Sequence, residues 1–298
     1  MQTEKKIIEC VPNVSEGKNQ ATVEKLAAAA TVTGASLADY SSDPDHNRSV
    51  FTIIGEPDAV FEAAFRLAQA AVETIDLNIH DGAHPRMGAV DVIPFIPLRG
   101  SDMNDCVQIA AALGKRLWND LRLPVFLYEE AASAPHRKNL AVLRKGGFEN
   151  MANKIKNPEF FPDYGDVLHK TAGITAVGAR RPLIAFNVNL DTDDISAAKK
   201  IASKIRSANG GLPGVKAIGV AVKGGNTAQV SVNITDYTQT SMYKVLETVR
   251  FEAARLGVAV NETEIIGLAP MQAYLDCANY YLGCKNSAGA VKVIESHF

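Results

Sequence analysis

The sequence predicts an α+β protein made of two subdomains, and three observations carry that reading. The chain has 298 residues, more than one ordinary domain of roughly 100 to 200 residues. Its second half runs through strand-like and helix-like segments in the order β-α-β-β-α-β, and its first half opens in the same order. That order is the split βαβ, or ferredoxin-like, arrangement, in which an antiparallel-rich sheet carries its helices on one face. Two ferredoxin-like βαββαβ subdomains are therefore expected, at 1–180 and 181–298, with a ligand cleft between them.

In the first half, "KIIECVP" is a short apolar run stopped by Pro12, and "NQATVEKLAAAATV" follows with helical spacing and alanine-rich propensity. "ASLADYSS" and "NRSVFTIIG" read as strands, because β-branched and aromatic residues dominate and "SDPDH" between them is turn chemistry. "EPDAVFEAAFRLAQAAVETI" predicts the clearest helix, with Pro57 in its first turn and Val60, Phe61, Ala64 and Phe65 on one face. "AVDVIPFIPL" then reads as a strand, "DMNDCVQIAAALGKRLWNDL" as a helix and "PVFLYEEA" as a strand. Residues 145–180 are rich in Gly, Pro, Asn and aromatics with little periodicity, which predicts a long loop that either covers a ligand or serves as a structural tether.

The second half is more regular. "LIAFNVNL" is a strand, and "DISAAKKIASKIRSA" is a helix capped near Asp193 and Asp194. "VKAIGVAVKGGNTAQVSVNI" reads as two strands around the turn "KGGN". "TSMYKVLETVRFEAARLG" is a helix ending at Gly257, and "TEIIGLAP" is a strand.

Composition narrows the class. With 47% hydrophobic and 21% charged residues, the chain matches a soluble globular protein. Its 31 basic and 33 acidic residues nearly cancel, which gives no global reason to expect nucleic acid or an anionic membrane as partner. The N-terminus lacks the apolar run of a signal peptide, and no segment reaches about 18 consecutive apolar residues, so a cytoplasmic protein is expected. Cys10, Cys106, Cys277 and Cys284 show no C-x-x-C spacing and read as reduced thiols. Exposed edges on two small sheets suggest a homodimer.

The stretch with most chemistry is "NIHDGAHPRMGAVDVIPF", residues 78–95. The four-residue spacing of His80 and His84 resembles a helical metal pair, but Gly82 and Pro85 oppose a helix and no third ligand is evident, so no metal is expected. Pro85 biases His84 toward extended backbone while Gly82 permits a bend, holding His84 on a stiff loop before a buried strand. A histidine held this way can shuttle protons near neutral pH; the alternative is a ring satisfied by nearby backbone. Neither G-x-G-x-x-G nor a P-loop motif occurs. Polar clusters at other strand ends (Asn13, Ser15, Glu16 and Lys18; Asp45, His46, Asn47 and Arg48) read singly as turn and capping chemistry, yet together could line one cleft.

"ECVPNVSEGKN", "NRSVFTIIG", "HDGAHPRMGAVDVIPFIPLRG", "PVFLYEEAA" and "GARRPLIAFNVNL" together resemble the glutamate formimidoyltransferase, or formiminotransferase, family over nearly the whole chain. The resemblance implies transfer of a formimidoyl group between 5-formimidoyltetrahydrofolate and L-glutamate, with tetrahydrofolate as co-substrate and N-formimidoyl-L-glutamate as the other partner. It places the catalytic proton shuttle at His84. It places a folate-binding loop at Gly165, Asp166, Val167, Leu168, His169, Lys170, Thr171, Ala172 and Gly173. This loop is one residue shorter than the animal version and carries His169 and Lys170 where that version has small and apolar residues.

The implied chemistry needs one base that later acts as an acid, and an imidazole with an ordinary pKa near 6.5 serves both steps. Arg48 and Arg86 are placed to meet glutamate carboxylates; Asn13, Asp39 and Asn47 to orient the pterin or the histidine; and His80 to brace the loop. Two other readings stay open: the same site using mainly 5-formyltetrahydrofolate as formyl donor to glutamate, and a non-catalytic folate-binding module.

Overall fold

Pro12 has no N–H to offer a ladder, and the first apolar run accordingly divides into β1 (Ile8–Cys10) and β2 (Asn13–Val14). Both pair antiparallel with β4 (Arg48–Gly55) and β5 (Val90–Pro97). In the computed structural model, which describes residues 5–82, 84–222, 227–284 and 293–294, the chain forms two compact units, Met1–Arg180 and Arg181–Phe298.

In the first unit, β3 (Ala35–Asp43) closes one edge against β4, while α1 (Gln20–Ala29), α2 (Pro57–Thr74) and α3 (Met103–Leu121) pack with the sheet in one core. Asp102 and Asp105 form a reciprocal capping box at the start of α3, satisfying N–H groups that the helix cannot pair internally. Beyond β5 the sheet continues through β7 (Thr175–Ala179) to β6 (Val125–Glu129), both running parallel to their neighbours. Parallel strands are normally covered on both faces, and a second core does this here. Met87, Val92, Phe126, Tyr128 and Ala176 meet Leu143, Met151 and Ile155 there, on the side opposite the three helices.

This extension corrects the expectation of a long loop over 145–180. The region holds α5 (Gly147–Lys154), a 3-10 turn at Pro158–Phe160 and strand β7, and α4 (Leu140–Arg144) lies just before it. Periodicity failed there because α4 and α5 are short and "TAVGA" is buried on both faces, leaving no alternation to read.

The second unit contains β8 (Ile184–Leu190), α6 (Ile195–Ile205), β9 (Val215–Ala221), β10 (Ala228–Ile234), α7 (Met242–Ala254) and β11 (Val260–Ile266). Its sheet order β11-β8-β10-β9, antiparallel throughout, is the ferredoxin-like order. Asp194 caps α6, accepting from the Ser196 N–H at 2.8 Å. The expected "KGGN" turn, 223–226, lies outside the described residues. A further helix, α8 (Met271–Tyr281), follows β11 and was not foreseen.

Register in the first sheet fixes what comes next. Val14 lies opposite Ser49 and Val90, and Val92 opposite Ala176. The loop after β2, the β3–β4 turn, the segment before β5 and the segment before β7 therefore all emerge at one end of the sheet.

Candidate functional site at the convergent loop end

Three of these loops touch closely because glycines let them. A Cβ on Gly17 would lie 2.4 Å from the Asp43 carbonyl oxygen, and one on Gly82 would lie 2.5 Å from the His46 carbonyl oxygen. Asn47, buried and left-handed at φ 48, ties the loops together. Its Oδ1 accepts from the Gly17 N–H at 2.9 Å, and its Nδ2 donates to the Asp81 carbonyl at 2.9 Å. Ser15 Oγ donates to the Gly88 carbonyl at 2.8 Å, and Lys18 Nζ to the Asp81 carbonyl at 2.7 Å.

His80 is locked in one tautomer. Its Nδ1 accepts from Arg86 Nε at 2.9 Å, so the proton sits on Nε2, which lies 3.0 Å from the Asn47 carbonyl oxygen. The Arg86 guanidinium also donates to the His80 carbonyl and pairs with Glu149 at 2.8 Å. Each of its three nitrogens is thus engaged by the protein itself.

Two arginines behave differently. Arg48, at the start of β4, is half-buried with an enclosed Nε, and its guanidinium has no hydrogen-bond or ion-pair partner among the described residues. Burial pulls its pKa down to about 10, so it remains a cation at neutral pH. The carboxylates of Asp91 and Asp43 oppose this fall, but neither is within hydrogen-bond or ion-pair distance of the guanidinium, which leaves the position receptive to an anion. Arg144, at the end of α4, donates to Asp91 Oδ2 at 2.5 Å, and Asp91 Oδ1 accepts from the Met87 N–H at 2.9 Å. Lys154 Nζ holds this short helix by donating to the carbonyls of Val142, Leu143 and Lys145. Arg144 and Asp91 were missed from the sequence; the available signal was a carboxylate inside the apolar strand "AVDVIPF", which demands a cation once buried.

His84 stands among these groups, half-buried, its ring centroid 6.4 Å from that of His46. Burial first, then the positive charges of Arg48 and Arg144, pull its pKa down to about 3. The ring is therefore neutral at physiological pH and a weaker base than an ordinary imidazole, shifted well below the value expected of it.

The segment 165–173 is stitched to the same loops. The His169 and Gly173 backbones exchange two hydrogen bonds of 3.1 Å, and His169 Nδ1 accepts from the Ala172 N–H at 3.0 Å. Burial lowers the His169 pKa. Thr171 and Ala172 carbonyls accept from the N–H groups of Leu77 and Ala89, each at 2.9 Å, and the Lys170 carbonyl accepts from Asn78 Nδ2 at 3.0 Å. Gly173 has φ 70, and a Cβ there would lie 2.2 Å from the Met87 carbonyl oxygen. Gly165, at φ 93, abuts the Trp118 ring. Asp166, Val167 and Lys170 are exposed, Leu168 packs into the second core and Ala172 is buried.

His80, His84, Asn47, Arg48, Arg86 and the 169–173 segment thus gather at one end of the sheet. Asn13 lies one strand step away, its Nδ2 donating to the Val11 carbonyl at 2.8 Å, and Asp39 sits half-buried on β3 opposite Thr52. No hydrogen bond ties either to His84 among the described residues. No group of three or more His, Cys, Asp or Glu among the described residues is placed to hold a metal ion.

Comparison with known proteins agrees across the chain. Residues 7–180 match the family description "Formiminotransferase domain, N-terminal subdomain", and 185–294 match "Formiminotransferase domain". The glutamate formimidoyltransferase of Streptococcus pyogenes serotype M1 is 49% identical over 98% of this chain and 98% of its own length. That of Thermoplasma acidophilum is 46% identical over 93% of this chain and 92% of its own. The formimidoyltransferase-cyclodeaminase of Mus musculus is 41% identical over 92% of this chain, a match spanning 52% of the mouse protein.

Proposed function

The chain belongs to the formiminotransferase family, and from that premise we propose that it works as a glutamate formimidoyltransferase with His84 as its proton shuttle. It transfers a formimidoyl group between tetrahydrofolate and L-glutamate. The observation that carries the role of His84 is its neutral, half-buried ring beside Arg48, a guanidinium without a partner among the described residues.

Transfer begins with a neutral amine nitrogen attacking the formimidoyl carbon. His84 takes the proton that this nitrogen sheds as the new C–N bond forms. Arg48 receives a carboxylate of the glutamate portion, because a planar guanidinium meets a carboxylate through two parallel hydrogen bonds. That carboxylate also offsets one of the charges holding His84 low, so the ring keeps a proton more readily in the complex than in the free enzyme. Arg86 serves instead to hold His80 and its loop. The 165–173 segment binds the folate, and Asn47 positions the loop that carries His84. Asn13 and Asp39 orient the pterin from neighbouring strands. The protein acts as a cytoplasmic homodimer, a reading supported by the edge strands β3 and β11.

The test is turnover of N-formimidoyl-L-glutamate with tetrahydrofolate by the wild type and His84→Ala. We expect the variant to lose about 10²- to 10⁴-fold in kcat while still binding folate. Normal turnover removes His84 from the chemistry. Turnover only with 5-formyltetrahydrofolate and glutamate would reassign the donor.

A further inference from the structure

Beside His84 stands a second histidine with a partner of its own. His46 occupies the β3–β4 turn, and Asp43, the last residue of β3, grips it. One Asp43 oxygen accepts from the N–H groups of Asp45 at 2.8 Å and His46 at 3.0 Å, and the other lies 2.7 Å from His46 Nδ1. Although partial burial works against it, these bonds hold the Asp43 carboxyl below its usual range, so Asp43 is an anion throughout the working pH range. The proton of His46 therefore sits on Nδ1, leaving Nε2 as the exchanging nitrogen.

The His46 and His84 rings meet edge to face, with centroids 6.4 Å apart and planes at 63°. Gly82 makes the approach possible, since any Cβ there would strike the His46 carbonyl. The side chains of His46 and Asp43 are 54% and 53% exposed, so the pair opens to water.

The charges around the two rings are opposite. Arg48 on β4 and Arg144 on α4 act on His84, whereas Asp43 on β3 contacts His46, with Asp45 next to it in the turn. A proton on His84 faces guanidinium charge; a proton on His46 faces a carboxylate. The second location is better by simple electrostatics.

We propose that His46, held by Asp43, is the second proton carrier of the transfer, accepting protons from His84 and delivering one to the departing nitrogen. The inference rests on His84 being the base. As the new C–N bond forms, the attacking nitrogen gives its proton to His84. A proton then passes from His84 to His46 Nε2, directly or through water. As the old C–N bond breaks, the departing nitrogen takes that proton from His46 and leaves as the amine, and both rings return to their neutral starting states. One proton is removed and one returned, with no oxidation or reduction.

The test compares pH profiles of kcat and KM for the full-length wild type, His46→Gln, His46→Gly, Asp43→Asn and His84→Gln, using N-formimidoyl-L-glutamate and tetrahydrofolate. We expect His46→Gln to lose about 10²-fold in kcat with little change in KM and to lose one limb of the kcat profile. Added imidazole should restore part of the rate to His46→Gly. Asp43→Asn should release the Nδ1–H tautomer of His46, read from its imidazole nitrogen chemical shifts. Wild-type kcat in His46→Gln, with His84→Gln inactive, overturns the relay and leaves the base in place. Full activity in His84→Gln removes the base and the relay together. A loss of kcat with an unchanged pH profile and no rescue by imidazole assigns His46 a structural role and also overturns the proposal. Melting curves identify misfolded variants, and the nitrogen chemical shifts of His46 in Asp43→Asn then decide alone: unchanged shifts overturn the pairing.

Discussion

The two units share a four-strand topology and differ in what the fourth strand meets. In the second unit that strand is β11, a sheet edge; in the first it is β5, which pairs onward with β7 and through it with β6. Parallel pairing needs a crossover, and the chain between β6 and β7 supplies it. That crossover carries Arg144, Glu149, Lys154 and the whole 165–173 segment. Extending the sheet by two parallel strands is thus what brings a second arginine and the candidate folate loop to the His84 end of the first unit. The second unit keeps the bare four-strand core, and every described histidine lies in the first.

Two glycines test this contrast most sharply. Gly173→Ala combines a positive φ with a Cβ driven against the Met87 carbonyl, and we expect it to cost about 2–4 kcal/mol and at least a tenfold loss of folate affinity. Gly210→Ala in the second unit has φ +81 but nothing within 4 Å, so backbone strain alone should cost about 1 kcal/mol. Urea unfolding and folate titration measure both. Equal costs would break the comparison.

A smaller effect concerns charge. Arg48→Gln removes a positive charge acting on His84, so the His84 pKa should rise from its depressed value by about one unit, read from its imidazole NMR signals. An unmoved resonance would mean that burial alone sets the value.

The effect that is smallest at neutral pH, and grows only in acid, is on stability. His84 is depressed in the folded protein and ordinary when unfolded. Between about pH 6.5 and 3 the unfolded chain therefore binds a proton that the folded chain refuses, and stability falls as pH drops through that window. Above pH 6.5 the contribution vanishes. Replacing His84 with Gln should flatten this acid slope, followed by the fluorescence of Trp118, the single tryptophan, which lies in the first unit.

Much of this organisation could be read from residue patterns. The second unit's order of elements followed from alternation and helical spacing, and the stiff loop around His84 from Gly82 and Pro85. The crossover was not legible, for particular reasons. Strand β7 is only five residues, buried throughout, with Ala176, Ala179 and a Gly178 pressed against the Tyr128 ring diluting its two β-branched residues, so it shows no polar–apolar alternation. Arg144 closes a five-residue helix too short for periodicity, and its partner Asp91 looks like an interruption in an apolar strand until the two are seen together. The histidine pKa was also beyond reach, because it depends first on burial and then on charges from β4 and α4 that are distant in sequence.

The backbone bonds joining 171–174 to Leu77, Met87 and Ala89 make two sequence-distant loops into a single rim. A hinge in either would have to break the other. A ligand arriving at this rim meets a wall whose shape is set in advance, and association forfeits little chain freedom there. Selectivity for a ligand is then a matter of fit against that wall, and substitutions can retune it by altering the outward side chains of Asp166, Val167 and Lys170 while leaving the position of His84 untouched.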